Sequence, residues 1–220
     1  AGPDRSTTRE QWEETAHQSR LSEYAYDPKA RTDAELQADL LPALRTGETA
    51  EAAQARITAA TSERQARRID TGLGTEPWRP NLLENDATFP RAHTLDRHGA
   101  ALPMSDMQDR VMGVGRWAGQ PPASFAYKWV DDHLANRVIQ QHIEQHWEEI
   151  RLALKEKELY KASWDEGELV GRGYYNKNVA LPNTPRTPVI GETSWVQLTI
   201  LLDTSGQSYI LTAFPKGSFQ

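Results

Sequence analysis

The chain has no cysteine in its 220 residues, which excludes disulfides, thiol nucleophiles and thiolate metal sites at once. The absence does not fix a compartment, because proteins are exported without disulfides. No apolar run approaches the roughly 20 residues needed to cross a bilayer. The opening Ala1-Gly2-Pro3-Asp4-Arg5 lacks the apolar core of an export signal. Positive charge is also in short supply: 25 Lys and Arg face 31 Asp and Glu, a net charge of −6. Nucleic acid therefore cannot be held by bulk electrostatics, and any such contact requires a local basic cleft. Apolar residues make up 38% and the mean hydropathy is −0.71, polar but not depleted enough for wholesale disorder.

What is present divides into two textures. Residues 1–70 are rich in Ala, Glu, Gln and Arg and read as helical. Thr7-x-x-Glu10 and Thr32-x-x-Glu35 match the capping box, in which side chains at a helix start satisfy free backbone N–H groups. Leu36, Leu40, Leu41 and Leu44 then recur at spacings that suit one packed helix face. A third helix is expected over about 48–70, with Ile57 its one sizeable apolar anchor. Glycine and proline clusters between Thr71 and Pro90 (Gly72-Leu73-Gly74, Pro77-Trp78-Arg79-Pro80 and Phe89-Pro90) mark the expected boundary. The domains so read are 1–85, helical, and 86–220.

In the second part, Ser105-x-x-Gln108 offers another capping box, for a short helix ending near Gly113 or Gly115. Met107 and Val111 face its core side, with Arg110 beside them. Ile139, Ile143, Trp147, Ile150 and Leu154 predict a long helix over roughly 125–160. Glu168 to Tyr175 is a candidate strand. Trp195–Leu202 and Ser208–Phe214 predict a hairpin around Asp203-Thr204-Ser205-Gly206. Helices first and strands last indicate an α+β fold, not a βαβ sheet.

Chemistry concentrates in His93-Thr94-Leu95-Asp96-Arg97-His98. Imidazole is the side chain that exchanges a proton near neutral pH without environmental help. A nearby arginine supplies fixed positive charge for a phosphate or other oxyanion. His93 and His98 are five residues apart, about 140° apart on a helix and on opposite faces of a strand, so they share a cleft only if the backbone bends between them. Each residue also has an ordinary role to weigh: a structural hydrogen bond for His93, a surface pair with Asp106 or Asp109 for Arg110, β-propensity for Thr212 and core packing for Phe214.

His93-Thr94-Leu95-Asp96-Arg97-His98-Gly99 resembles the opening motif of the bacterial ribonuclease A-like toxin domain, found at the C-terminal ends of contact-dependent inhibition and related polymorphic toxins. The resemblance continues through Arg110 and Ala123-Ser124-Phe125, and ends at Tyr209-Ile210-Leu211-Thr212-Ala213-Phe214-Pro215. It covers about 88–220. It implies a ribonuclease A-like fold and metal-independent cleavage of RNA, by attack of the ribose 2′-OH on the adjacent phosphorus, with no cofactor. Carried over by position, His98 is the acid–base residue, Arg110 stabilises the phosphorane, and Thr212 hydrogen-bonds the phosphate or a base edge. His93 stands as a second catalytic candidate, with Arg97 and Phe214 as substrate-binding residues. Two departures stand out. Phe214 occupies the place of the family's tyrosine, which leaves the second proton-transfer group unassigned. The interval from His98 to Arg110 is about one residue longer than usual, which makes Arg97 the alternative cation. The implied partners are an RNA substrate in a target cell and a cognate immunity protein, with secretion or delivery into the target-cell cytoplasm.

Two other readings compete. His142 and His146 have the i, i+4 spacing of a helical metal pair, which would suit a metal-dependent hydrolase, although His-Ile-Glu-Gln-His misplaces the glutamate of a zincin. The helical regions would equally suit a non-enzymatic adaptor. His133 and His17 read as solvent-facing. The seven tryptophans can stack bases, but Trp147 and Trp195 sit in core phase.

Overall fold

The computed structural model describes residues 26–181 and 183–217. The Thr7/Glu10 capping box and His17 lie outside these residues. Two compact units meet at Arg67 and Arg68.

In the first unit the Thr32 capping box forms in full. The Thr32 hydroxyl accepts from the Glu35 N–H, and the Glu35 side chain accepts from the Thr32 N–H, opening helix α1 (Asp33–Asp39). The helix stops before Pro42, so the leucine stripe is only partly used. Leu36 is buried, but Leu41 and Leu44 are exposed. Helix α2 (Ala50–Leu73) runs through the unit boundary. Its anchor is Arg56 and not Ile57. The Arg56 guanidinium is buried, pairs with Glu48 at 2.8 Å, and donates to the carbonyls of Asp39, Leu41 and Ala43. A buried charge is stable only when paired and hydrogen-bonded in this way.

The second unit begins earlier than the expected boundary at 85/86. Ile69 and Leu73, at the end of α2, and Leu82 join its core. Residues 81–88 are not a linker: Asn81 accepts from Leu83 N and Glu84 N and opens helix α3 (Leu82–Thr88). Helix α4 (Thr94–His98) and helix α5 (Met104–Met112) follow. Met107 and Val111 are buried as their spacing predicts, but Pro103 is the residue before α5 and no side-chain cap forms there. Gly113 closes α5 in the left-handed conformation.

The single long helix expected over 125–160 is instead three elements. Phe125–Trp129 is strand β1, and Asp132–Gln145 (α6) and Trp147–Lys157 (α7) are two helices that part at His146. Alternation of aromatic with smaller residues in Phe-Ala-Tyr-Lys-Trp suits a strand. Ile139, Ile143, Trp147, Ile150 and Leu154 are all buried, so the apolar stripe is read correctly although the helix is broken. Strands β2 (Leu159–Asp165), β3 (Gly171–Asn176), β4 (Pro188–Thr193), β5 (Trp195–Leu202) and β6 (Ser208–Pro215) complete the unit. The β5–β6 hairpin forms as expected. Trp195, however, is partly exposed, because Val196, Leu198 and Ile200 occupy the buried phase of β5.

Two antiparallel sheets result, ordered β1-β3-β4 and β2-β5-β6. The fold is α+β, with helices preceding most of the strands. Helices α6 and α7 supply much of the core shared with the β2-β5-β6 sheet, and α5 packs on β1 and β3. No helix among the described residues is long and apolar enough to cross a membrane.

Strand β6 lies at a sheet edge, where unpaired backbone groups need partners. The segment before and through α4 supplies them. The Asn85 side chain both accepts from Ile210 N and donates to Ile210 O, at 2.8 Å each, like a fragment of another strand. His93 N donates to Leu211 O, Thr94 Oγ1 accepts from Ala213 N, and Trp129 Nε1 donates to Ala213 O. Sealing this edge brings the histidine segment against the last strand.

Candidate active site

The junction of α4, α5, β1 and β6 gathers the residues singled out in the sequence. Helix α4 begins without a side-chain cap from His93. Asp86 substitutes, its carboxylate accepting from Leu95 N at 2.7 Å and placing negative charge at the helix start. His93 has φ −155° and ψ 33°, outside the helix. That bend is what the five-residue spacing requires if both imidazoles are to meet. Beyond His98 the chain is pinned at Ala100, whose N–H donates to Asp132 and whose carbonyl accepts from Lys128 Nζ.

His98 is 5% exposed. Its ring stacks on Phe214 with centroids 4.8 Å apart and planes 19° apart. Nδ1 lies 2.8 Å from the Tyr127 carbonyl oxygen. A carbonyl can only accept, so Nδ1 carries the proton and Nε2 of the neutral ring presents its lone pair. Facing Nε2 at 3.4 Å is Arg110 Nη1. Burial pushes the His98 pKa down to about 3, opposed by the Tyr127 hydrogen bond and aided by the charges of Arg110, His93 and Arg97. The ring is therefore neutral and basic-side-out at pH 7.

Arg110 does not adopt its ordinary role. Among the described residues it makes no ion pair, because Arg116 takes the Asp106 carboxylate at 2.6 Å. Both guanidinium groups lie against the Trp117 indole, 4.8 Å from its centroid for Arg110 and 4.7 Å for Arg116. Partial burial and the nearby charges of Arg97 and Arg116 lower the Arg110 pKa, although Asp106 opposes them. The result is a charged group held by an aromatic face, without a carboxylate partner among the described residues.

His93 donates Nδ1–H to the Arg91 carbonyl at 2.9 Å, which leaves its Nε2 free in the neutral ring. Burial lowers its pKa, with further lowering by Arg97 and Arg110 and opposition from the Arg91 carbonyl and Asp86. Thr212 and Phe214 are two residues apart on β6 and share one face. Thr212 Oγ1 is enclosed and has no hydrogen-bond partner among the described residues. An orphaned hydroxyl of this kind is uncommon and calls for a partner. Arg97 is half-buried on α4, and its charge reaches both histidines. All six residues proposed from the sequence thus contribute to this region.

Sequence reading missed the supporting residues. Tyr127 acts through its carbonyl, which no side-chain pattern reports. Trp117 and Asp106 act on Arg110 indirectly, the one by its ring face and the other by engaging Arg116. Asp86 caps a helix from outside it.

The second histidine pair is arranged differently. His142 and His146 stack with centroids 4.5 Å apart and planes 28° apart, so their in-plane lone pairs do not converge on a common point. No group of three or more His, Asp or Glu among the described residues is placed to hold a metal ion. His133 is exposed.

Comparison of the chain with protein families, with curated proteins and with solved structures finds no match.

Proposed function

We propose that the protein is an endoribonuclease toxin that cleaves RNA by 2′-OH transphosphorylation, as the resemblance of its His93–His98 and Tyr209–Pro215 segments implies. The observation that carries this reading is the lone pair of His98 Nε2, met at 3.4 Å by Arg110 Nη1, an arginine with no carboxylate partner among the described residues. A neutral imidazole beside a guanidinium sets a proton acceptor next to a fixed positive charge, and a bound phosphate that offsets the charges of Arg110 and Arg97 would raise the His98 pKa from about 3 toward the range a base needs.

In this reading Arg110 shields Nε2 until substrate arrives. A phosphate oxygen draws the guanidinium off the imidazole, and Nε2 then accepts the 2′-OH proton. The 2′-oxygen bonds to phosphorus, the bond to the 5′-oxygen breaks, and His93, protonated in the substrate complex, donates its Nε2 proton to that leaving oxygen. The products are a 2′,3′-cyclic phosphate and a 5′-hydroxyl. His93 fills the role that Phe214 lacks the hydroxyl to perform. Bound phosphate counters the charges of Arg97 and Arg110, which favours the protonated form of His93 that an acid needs. Thr212 Oγ1 donates to the phosphate or accepts from a base edge, satisfying its unmet hydrogen bond. The expected partners are an RNA substrate and an immunity protein covering this face, and the expected setting is the cytoplasm of a target cell.

The test is incubation of purified protein with total RNA in EDTA, comparing wild type with His98→Ala. The wild type is expected to leave 2′,3′-cyclic phosphate ends. The variant should lose about 10²–10⁴ in rate, the usual contribution of a placed acid or base. A folded wild type that cuts no RNA removes the proposal, and activity that zinc restores after EDTA replaces it with a metal-dependent hydrolase.

A further inference from the structure

Helices α6 and α7 and strand β2 line an open cavity of about 460 Å³ that the proposed ribonuclease chemistry does not use. Trp164, His142 and His146 form an aromatic column on its wall. The Trp164–His142 centroids are 3.8 Å apart with planes 11° apart, and His146 covers the other face of His142. His142 is 8% exposed, and its Nε2 meets the Tyr160 hydroxyl at 3.0 Å. No hydrogen bond to its Nδ1 occurs among the described residues, and His142 is one of the residues that line the cavity. Burial and the neighbouring His146 lower the His142 pKa to about 4, so this wall carries no charge from His142 at pH 7.

The charge that does line the cavity is negative. Glu149 reaches His146 Nδ1 at 3.2 Å, and Glu166 accepts from Trp164 Nε1 at 2.8 Å. Each carboxylate keeps further acceptor positions. Lysine and arginine are absent from the lining. Lys216 Nζ approaches Ser163 Oγ at 3.5 Å, and the Ser163 and Lys161 side chains leave β2 on the opposite face from Ala162 and Trp164. With carboxylates and no lysine or arginine in the lining, the site disfavours an anion. A single metal ion is disfavoured because the stacked imidazoles cannot converge on it.

We propose that this cavity is a binding site for an organic cation of the guanidinium or ammonium class. The N–H groups of such a cation would bridge Glu149 and Glu166 and donate to His142 Nδ1 in the tautomer whose Nε2–H donates to the Tyr160 hydroxyl, while its alkyl stem packs on Trp164 and Val138. Aromatic rings beside carboxylates are the usual surroundings of such a group. A cavity of this volume accommodates a small ligand or one inserted side chain.

The test uses the full chain and follows the Trp164 indole and His142 ring NMR signals. The probes are L-argininamide, spermidine, the blocked tripeptide acetyl-Gly-Arg-Gly-amide, zinc chloride and sodium chloride. Saturable shifts are expected with the organic cations, with Kd on the order of 1 mM or tighter. Tighter binding of the tripeptide assigns the site to a side chain of a protein partner, and tighter binding of argininamide or spermidine assigns it to a free cation. The Glu149→Gln, Glu166→Gln double variant, which removes charge without changing shape, should weaken binding by roughly three- to tenfold. The inference is overturned if sodium chloride alone reproduces the shifts, if zinc binds and the organic cations do not, or if the double variant binds them unchanged. RNA cleavage is read in parallel. Its absence bears on the ribonuclease proposal alone, because the two sites share no residue.

Discussion

Burial decides the protonation state of His98, and the tautomer follows from one carbonyl. A folded-state pKa near 3 lies below the ordinary imidazole value of 6.5. Between these two values the unfolded chain binds more protons than the folded one. Stability from this group is therefore complete above pH 6.5 and is lost as pH falls toward 3, at up to about 1.4 kcal/mol per pH unit. His142 acts in the same direction, down to about pH 4. Urea midpoints measured at pH 7.5 and pH 5.0 should fall on acidification. His142→Gln, which keeps a polar group but does not titrate, should reduce the fall, and an unchanged pH dependence would contradict the burial account. The sequence already pointed to His98 and Arg110 by residue type and order. It carried no trace of the Tyr127 carbonyl or the Trp117 face, because a backbone oxygen and a ring plane acquire partners only in three dimensions.

At the scale of elements, the edge of β6 determines whether the site assembles. Asn85 makes two backbone hydrogen bonds to Ile210 from a buried position. Asn85→Ala leaves both Ile210 groups unpaired, at a cost of about 2–3 kcal/mol. Chemical denaturation should show that loss. RNA cleavage should fall as well, because α3 and α4 hold His93 and His98 against the strand. Gly173 is a second such point. A Cβ there would lie 2.0 Å from Ala126 O and 2.6 Å from Tyr127 Cα, both backbone atoms. Gly173→Ala therefore has to displace β1, and with it the carbonyl that orients His98. Thermal unfolding and cleavage rate should both drop in this variant. Strand β1 and the break at His146 were not visible in the sequence. The periodicity of Ile139 to Leu154 is preserved across two helices, and five residues of mixed aromatic texture fit a helix end as well as a strand.

At the scale of the whole molecule, the units meet at Arg67 and Arg68, not at the glycine- and proline-rich segment. Ile69, Leu73 and Leu82 belong to the core of the second unit. Loss of one such side chain costs about 2–5 kcal/mol, and losing three exceeds much of the 5–15 kcal/mol that holds a domain together. A fragment of residues 68–220 should unfold cooperatively, whereas 86–220 should not. Circular dichroism melts of both fragments distinguish this division from one at the linker.

Residue chemistry, order and periodicity were determined by the sequence alone. It limited the chain to cysteine-free, net-acidic chemistry and placed helices before the final hairpin. It also identified the histidine segment, Arg110 and the last strand as the candidate site. Tertiary structure decided the rest, because the deciding terms are contacts between distant segments. Edge-sealing hydrogen bonds bring His93 and His98 to β6, and burial sets the His98 pKa. Competition from Arg116 for Asp106 leaves Arg110 without a carboxylate among the described residues. Stacking turns His142 and His146 from an apparent metal pair into the wall of an acidic, aromatic cavity.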